Sequence, residues 1–348
     1  MNKVKALSLF SGGLDSILAT RVVMALGVEV VAVKFVSPFF HYEILNDIDG
    51  YVESVREKYG IKVMVEDISR SYMEMLRDPK YGFGKNFNPC IDCKIFMVSR
   101  AREMLAEQNA SFLISGEVLG QRPMSQRRDT LNVITRDSDS RALLLRPLSA
   151  KLMSPTVAEE NGWVDREQLL NFSGRGRSRQ IALAREMGIT DFPAPAGGCI
   201  LADPILSRRI KNFYNDTFVV KSADMTVTDI VLLLVGRQFL LPGGGWLMLG
   251  RDEKDNTKLA SLAEDGDAVF SMEDRPGPIA LLRRAASCYA DTSQLRADLS
   301  RAAGLVVRYG KKTNNSPVAA KVNCCLAGER QVLIGEPIED AVFRNWML

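Results

Sequence analysis

The segment Ser11-Gly12-Gly13-Leu14-Asp15-Ser16 stands between an apolar run, Val4 to Phe10, and a second apolar stretch, Ile17 to Leu26. The first run reads as a buried strand and the second as a helix. A strand, a tight turn with two glycines and a helix, in that order, make the first β/α junction of a parallel sheet. Two glycines let the backbone approach an anion. The hydroxyls of Ser11 and Ser16 then join the free N–H groups of the helix N-terminus in binding its oxygens. The lysine-bearing GxxxxGKS/T pattern is absent, so this is not the common P-loop. A Gly-Gly turn merely capped by a serine is the bland alternative. Position argues against it, because open α/β sheets bind nucleotides at the carboxyl ends of their strands.

Strand and helix signals alternate through the first part of the chain. Glu29 to Phe35 is a β-branched strand, Asn46 to Tyr59 has helical spacing, and Lys62 to Val65 is another short strand. A loop, Tyr81 to Pro89, precedes a helical stretch from Lys94 to Glu107. Phe112-Leu113-Ile114 and Ala142 to Arg146 give further strands. This pattern predicts an α/β fold with a doubly wound parallel sheet. Residues 149–204 are polar and punctuated by arginine, proline and glycine, and read as an extension over the active site. From residue 205 onward a second, smaller α+β domain is expected. Thr217 to Lys221, Ile230 to Val235, Trp246 to Leu249, Ala268 to Met272 and Gln331 to Ile334 read as its strands. Ile279 to Tyr289 and Ser293 to Ala303 read as its helices.

With 348 residues, two domains are expected, each with its own core. The formal net charge of +3 neither requires nor excludes nucleic acid. Met1 leads straight into the first strand and no apolar run is long enough to span a bilayer, so a cytoplasmic protein without a membrane partner is expected. Six cysteines in a chain of this size do not form a secreted disulfide framework. Cys90 and Cys93 form a C-x-x-C before a helix, whose N-terminus is expected to lower their thiol pKa. Cys199 lies on a distant glycine-rich turn. Cys288, Cys324 and Cys325 read as core cysteines. For Cys90, Cys93 and Cys199 several readings stay open. They are a zinc site lacking an obvious fourth ligand, since His41 is a weak one, a dithiol redox pair, three ligands of a 4Fe–4S cluster, or a persulfide pair.

Four segments resemble the PP-loop tRNA thiouridine synthases, the 2-thiouridylases and 4-thiouridine synthases, over roughly residues 4–204. Ser11 to Ser16 resembles their ATP motif. Asn88-Pro89-x-x-x-Cys93 and Gly198-Cys199-Ile200 resemble the segments that carry two catalytic cysteines. Ser115 to Gln121, followed by Ser125-Gln126, resembles the second nucleotide-contacting segment. The resemblance implies an ATP pyrophosphatase and thiolation domain over 1–204. ATP and Mg²⁺ would lie against Ser11, Gly12, Gly13, Asp15, Ser16, Phe35, Gly116 and Gln121, and Cys93, Cys199 and Asp15 would act in catalysis. Cys90 is additional to the two-cysteine pattern and similar to the cluster-dependent members, where Cys90, Cys93 and Cys199 would hold a 4Fe–4S cluster.

The implied partners are tRNA and a sulfur donor, either sulfide or a persulfide-carrying protein. Arg127, Arg128, Arg175 and Arg177 are candidate RNA contacts, with Arg122, Arg179 and Arg185 nearby; guanidinium forks suit phosphates. With the loop beginning at residue 11, RNA binding is expected to come from elsewhere than an N-terminal domain of the 4-thiouridine synthase type. Val235 to Phe239, Leu249 to Asn256 and Pro276-Gly277-Pro278 instead resemble the RNA-binding module of the NFACT proteins, which implies RNA binding by residues 205–348. There Arg251, Arg283, Arg284, Arg308, Lys311 and Lys312 are expected phosphate contacts. A PP-loop amidotransferase or NAD-synthetase-like ligase using ammonia also accounts for the loop but gives the cysteines no role. A non-catalytic RNA-binding protein leaves the loop without one.

Overall fold

The computed structural model describes residues 4–194, 198–312 and 318–348. The chain divides between Ala202 and Asp203 into two units. In the first, five strands form one parallel sheet: β1 (Lys5–Leu9), β2 (Glu29–Val36), β3 (Lys62–Asp67), β4 (Phe112–Ser115) and β5 (Leu144–Leu145). Their spatial order is β3-β2-β1-β4-β5. The chain thus builds outward from β1 in one direction, then returns to its other side with β4. The carboxyl ends of β1 and β4 form the topological switch point, where ligands of such sheets bind.

Around this sheet run α1 (Leu14–Ala25), α2 (Ile48–Tyr59), α3 (Ser69–Arg77), α4 (Cys90–Glu107), α5 (Arg128–Asp137), the single turn α6 (Val157–Glu160) and α7 (Ser178–Glu186). α1 is buried almost all round, with Leu14, Ile17, Leu18, Val22 and Val23 in the core beside Ala6 and Ile114. A parallel sheet is covered on both faces, which explains why its strands read as continuous apolar runs. α4 begins at Cys90 and not at Lys94, so both cysteines of the C-x-x-C lie in its first turn. The proline- and glycine-rich stretch of the extension lies partly outside the described residues, at 195–197.

The second unit is built on an antiparallel sheet in the order β11-β10-β8-β9-β7-β6. Its strands are β6 (Arg237–Leu240), β7 (Trp246–Leu249), β8 (Ala268–Met272), β9 (Ala280–Leu282), β10 (Ala320–Leu326) and β11 (Glu329–Gly335). The helices are α8 (Pro204–Tyr214), α9 (Val227–Leu233), α10 (Glu253–Leu262), α11 (Thr292–Tyr309) and α12 (Asp340–Phe343). α11 presses Leu299, Ala302, Ala303 and Val306 into a core with Phe270, Leu282 and Val322.

Several local expectations are overturned here. Ile230 to Leu233 belongs to α9, whose start is fixed by a capping box: the Thr226 hydroxyl accepts from the Asp229 N–H, and the Asp229 carboxylate accepts from the Thr226 N–H. Ile279 to Tyr289 is not a helix. It holds β9, buried on both faces between β7 and β8, where a continuous apolar run cannot be told from a buried helix by periodicity. Thr217 to Lys221 forms no strand, whereas β6 and β10 do. Of the three cysteines expected in the core only Cys324 is buried; Cys325 is exposed and Cys288 partly so.

The basic residues of this unit also differ from expectation. Arg283 is completely buried and donates to Asp229 (2.7 Å), Asp267 (2.9 Å) and Glu264 (2.8 Å). Arg284 pairs with Asp229, Arg251 with Asp255 and Arg308 with Asp340. Arg283 is therefore a structural cation: although burial opposes its charge, Asp229 and Asp267 hold it protonated. Lys311 and Lys312 are exposed. Replacing Arg283 would leave the buried Asp267 without a cation and Asp229 with Arg284 alone. The Arg283→Met protein should lose about 3–5 kcal/mol of stability in urea unfolding followed by tryptophan fluorescence; an unchanged midpoint would return Arg283 to the list of RNA contacts.

Candidate functional site

The turn after β1 is shaped by its own residues. Gly12 adopts φ +81°, a left-handed conformation that favours glycine, and Gly13 leads α1 with no side chain capping the helix. The Ser16 hydroxyl donates to the Gly13 carbonyl (2.8 Å), and the Ser11 hydroxyl donates to that of Ser16 (3.2 Å). Asp15 faces away from the turn toward the rest of the site. Its Oδ2 accepts from Gln121 Nε2 (2.7 Å) and from Arg177 (3.3 Å), while its buried Oδ1 has no partner among the described residues. Gln121 accepts in turn from Gln180 Nε2 at 3.1 Å. The extension is thus fastened to the turn by Arg177, and to the segment after β4 by Gln180 and by the bond from the Gly174 N–H to the Leu119 carbonyl (2.8 Å).

Gly116, immediately after β4, packs directly on the turn. A Cβ there would come within 2.6 Å of the backbone of Asp15 and Ser16, closer than real Cβ atoms approach backbone. A cavity of about 280 Å³ opens at this point, with Ser11, Asp15, Ser16, Phe35, Gly116 and Glu117 in its wall. Of the residues expected against a nucleotide, Ser11, Asp15, Ser16, Phe35 and Gly116 stand in this wall; Gly12 and Gly13 do not, and Gln121 reaches the site through Asp15.

Two charged groups of the same wall were not anticipated. Lys34 is a lysine inside β2, 2 % exposed, whose Nζ donates to the Ser11 carbonyl. Burial pulls its pKa down to about 8, against a smaller opposite pull from Glu43. Glu117 is buried with Arg146 at 3.0 Å and Lys94 at 3.8 Å. Burial alone would raise its pKa, but Arg146 and Lys94 outweigh it and hold the carboxyl below its ordinary value. The signal for Lys34 was available in the sequence as the lone charge in Val-Val-Ala-Val-Lys-Phe-Val. A larger cavity, about 570 Å³, lies beyond the sheet edge and is lined by Arg128, Arg141 and Arg146. No residue of the turn after β1 contributes to it.

The loop before α4 and the end of the first unit are tied together. The Phe87 N–H donates to the Leu201 carbonyl (3.1 Å) and Asn86 Nδ2 to that of Ala202. This ties the segment that carries Cys199 to the loop that leads into Cys90 and Cys93. The expected lowering of thiol pKa by the helix does not win at Cys93. Burial pushes its thiol up to about 11, although the Tyr72 hydroxyl and Lys94 pull the other way. Cys199 is also raised by burial of its thiol, even though the residue as a whole is exposed. Among the described residues no three His, Cys, Asp or Glu side chains are assembled around a metal position. Cys90, Cys93 and Cys199 are nonetheless soft sulfur donors, the type that an iron–sulfur group takes.

The candidate RNA contacts separate. Arg175 is exposed, Arg127 is exposed and paired with Asp129 (3.1 Å), and Arg128 donates to the Leu152 carbonyl beside the larger cavity. Arg177 is occupied by Asp15. Arg179 stacks on Phe172 with 4.3 Å to the ring centre and bonds to Asn171, a packing role.

Fold and site together define an α/β protein with a two-glycine turn at its switch point, a helix bearing two cysteines in its first turn, and a separate antiparallel domain. Residues 2–152 match the family described as "Thiamine biosynthesis protein (ThiI)", and residues 236–347 match the "NFACT protein RNA binding domain". The chain thus resembles the PP-loop tRNA sulfurtransferases in its first unit and an RNA-binding module in its second. A curated "Probable tRNA sulfurtransferase" of Thermococcus kodakarensis is 31% identical over 138 residues, which is 39% of this chain and 35% of that protein. The chain therefore spans about a third of the length of the curated relative it matches. Among solved structures, the U34-tRNA thiolase NcsA from Methanococcus maripaludis, with its 4Fe–4S cluster, is 17% identical, covering 66% of this chain and 71% of that one at a TM-score of 0.33. NMN synthetase from Francisella tularensis is 13% identical, covering 56% and 90% at a TM-score of 0.26. At these TM-scores neither likeness carries an argument. No helix among the described residues is long and apolar enough to cross a membrane.

Two outcomes follow from the geometry. Gly116→Ala should displace the turn and cost about 2 kcal/mol or more of stability through overpacking against backbone, read by thermal unfolding; an unperturbed transition would show that the turn has room to shift. Lys34 binds its proton less tightly folded (about 8) than unfolded (10.5), so its cost to folding is fully present below pH 8 and disappears above 10.5. Lys34→Met should therefore be more stable than the parent by about 2 kcal/mol at pH 7, after allowing for the lost bond to Ser11. That advantage should shrink as urea unfolding is repeated from pH 8 to 10.5.

Proposed function

We propose that this chain is a tRNA sulfurtransferase that activates a uridine carbonyl with ATP and replaces its oxygen with sulfur. The observation that carries the reading is the position of α4. Its first turn bears Cys90 and Cys93, and the next residues, Lys94, Met97 and Val98, stand in the wall of the cavity that holds the phosphate turn. Activation and sulfur transfer could then meet on one helix.

In this reading the pyrophosphate portion of ATP lies on Ser11, Gly12, Gly13 and Ser16, whose N–H and hydroxyl groups take up its charge. The partnerless Oδ1 of Asp15 suits it to orient the turn or to help hold Mg²⁺. Phe35 and Gly116 would flank the nucleotide. The uridine oxygen attacks the α-phosphorus, pyrophosphate leaves, and the base carbon becomes bonded to an adenylate leaving group. Sulfur then bonds to that carbon as AMP departs, taking the former carbonyl oxygen with it. A 4Fe–4S cluster bound by Cys90, Cys93 and Cys199 would supply an open iron able to hold sulfide. In its absence Cys93 and Cys199 would divide the roles of persulfide carrier and resolving thiol. The target base must be unpaired or flipped from the stack. Arg127, Arg128 and Arg175 would meet RNA phosphates beside the first unit, and the second unit would supply the remaining RNA contacts. The cytoplasm, where thiols stay reduced and tRNA is present, suits this chemistry.

Cys199→Ala should abolish thiouridine formation in tRNA, measured by mass spectrometry of nucleosides, while ATP binding stays within about twofold of the parent, because the phosphate turn does not depend on the thiol. Thiouridine made at the parental rate would remove Cys199 from the mechanism. If the Cys90, Cys93 and Cys199 triple alanine variant still consumes ATP with ammonia, the ligase reading takes over. Iron and labile sulfide measured after anaerobic purification decide between the two sulfur routes.

A further inference from the structure

Lys34 has no task in the reading above. It sits within a hydrophobic strand between Val33 and Phe35, with almost no solvent contact, and its ammonium faces the cavity beside the phosphate turn. A Cβ on Gly12 would stand 3.6 Å from Nζ, so the charge lies against the turn itself. Its one hydrogen bond of note goes to the Ser11 carbonyl, and the Tyr51 ring lies 5.9 Å from Nζ. Among the described residues Lys34 has no ion-pair partner, and Glu43, the carboxylate that acts on it, is exposed and near His41 instead.

A buried ammonium without a carboxylate is costly, and a single carbonyl does not require one. A hydroxyl or amide would serve that bond with less desolvation. The turn, meanwhile, offers a triphosphate only N–H groups and hydroxyls, since it lacks the lysine that the common P-loop places on the terminal phosphates. We propose that Lys34 supplies this missing cation, contacting the terminal phosphates of bound ATP from the rigid strand β2 instead of from the loop. The inference rests on the nucleotide reading of the site. The depressed pKa agrees with it, because an ammonium short of counter-charge gains most when a phosphate arrives.

The test is isothermal titration of ATP, pyrophosphate and AMP, with Mg²⁺, into the full chain and into its Lys34→Met and Lys34→Gln variants. Glutamine keeps a donor for the Ser11 carbonyl but removes the charge. The inference expects both variants to weaken ATP and pyrophosphate by about tenfold or more, as for loss of a charge-assisted bond, with AMP changed less than about twofold. If Lys34→Gln binds ATP as the parent does, Lys34 merely braces the turn and the inference falls while the nucleotide reading stands. Equal weakening of ATP and AMP also overturns it, since the charge would then not be aimed at the terminal phosphates. A parent protein that binds neither ATP nor pyrophosphate overturns the nucleotide reading itself, and this inference with it.

Discussion

The structure depends on how closely the end of β4 approaches the turn after β1. Only a residue without a Cβ fits at position 116, because the backbone of Asp15 and Ser16 occupies the space a side chain would need. That contact sets the separation of the two strand ends at the switch point, and hence the width of the cavity between them. It also places Gln121, a few residues on, where it reaches Asp15. Through Asp15 the contact extends to Arg177 and the extension beyond. One missing methyl group thus allows the turn, the segment after β4 and the extension to share a carboxylate.

The charges around this cavity are arranged unusually for a protein interior. Buried ions are ordinarily matched with partners, and Glu117 with Arg146 follows that rule on one side. Lys34 on the other does not. An anion entering the site therefore meets, on the side of β2, an ammonium without an ion-pair partner among the described residues. The second unit shows the opposite arrangement, with Arg283 surrounded by carboxylates. An arginine in the sequence of an RNA-binding module is therefore no measure of positive surface.

The parallel sheet was legible because its signals are redundant. Apolar runs, intervening helices and a glycine turn all point to the same topology. The antiparallel unit was less so, for identifiable reasons. β9 is enclosed on both faces and lacks the alternation that marks a half-exposed strand. α9 is short and uniformly apolar, and only its Thr226–Asp229 capping pair distinguishes it from a strand. The thiols show a different limit. That Cys90 and Cys93 sit at a helix start could be read from the residues, but the burial that outweighs the helix at Cys93 is a property of tertiary packing around Tyr72. Lys34 was visible as a letter and silent as a role, since nothing local says which way a strand residue faces.

The bond from Phe87 to Leu201 also defines where the cysteine group is completed. Cys90 and Cys93 belong to the body of the first unit, but Cys199 comes from its last four residues, just ahead of α8. Severing the chain anywhere between α7 and Cys199 would leave the phosphate turn and its cavity whole, yet remove one of the three thiols. The turn and its cavity are complete within one compact body; the set of three thiols is completed only by the segment of chain that leaves it.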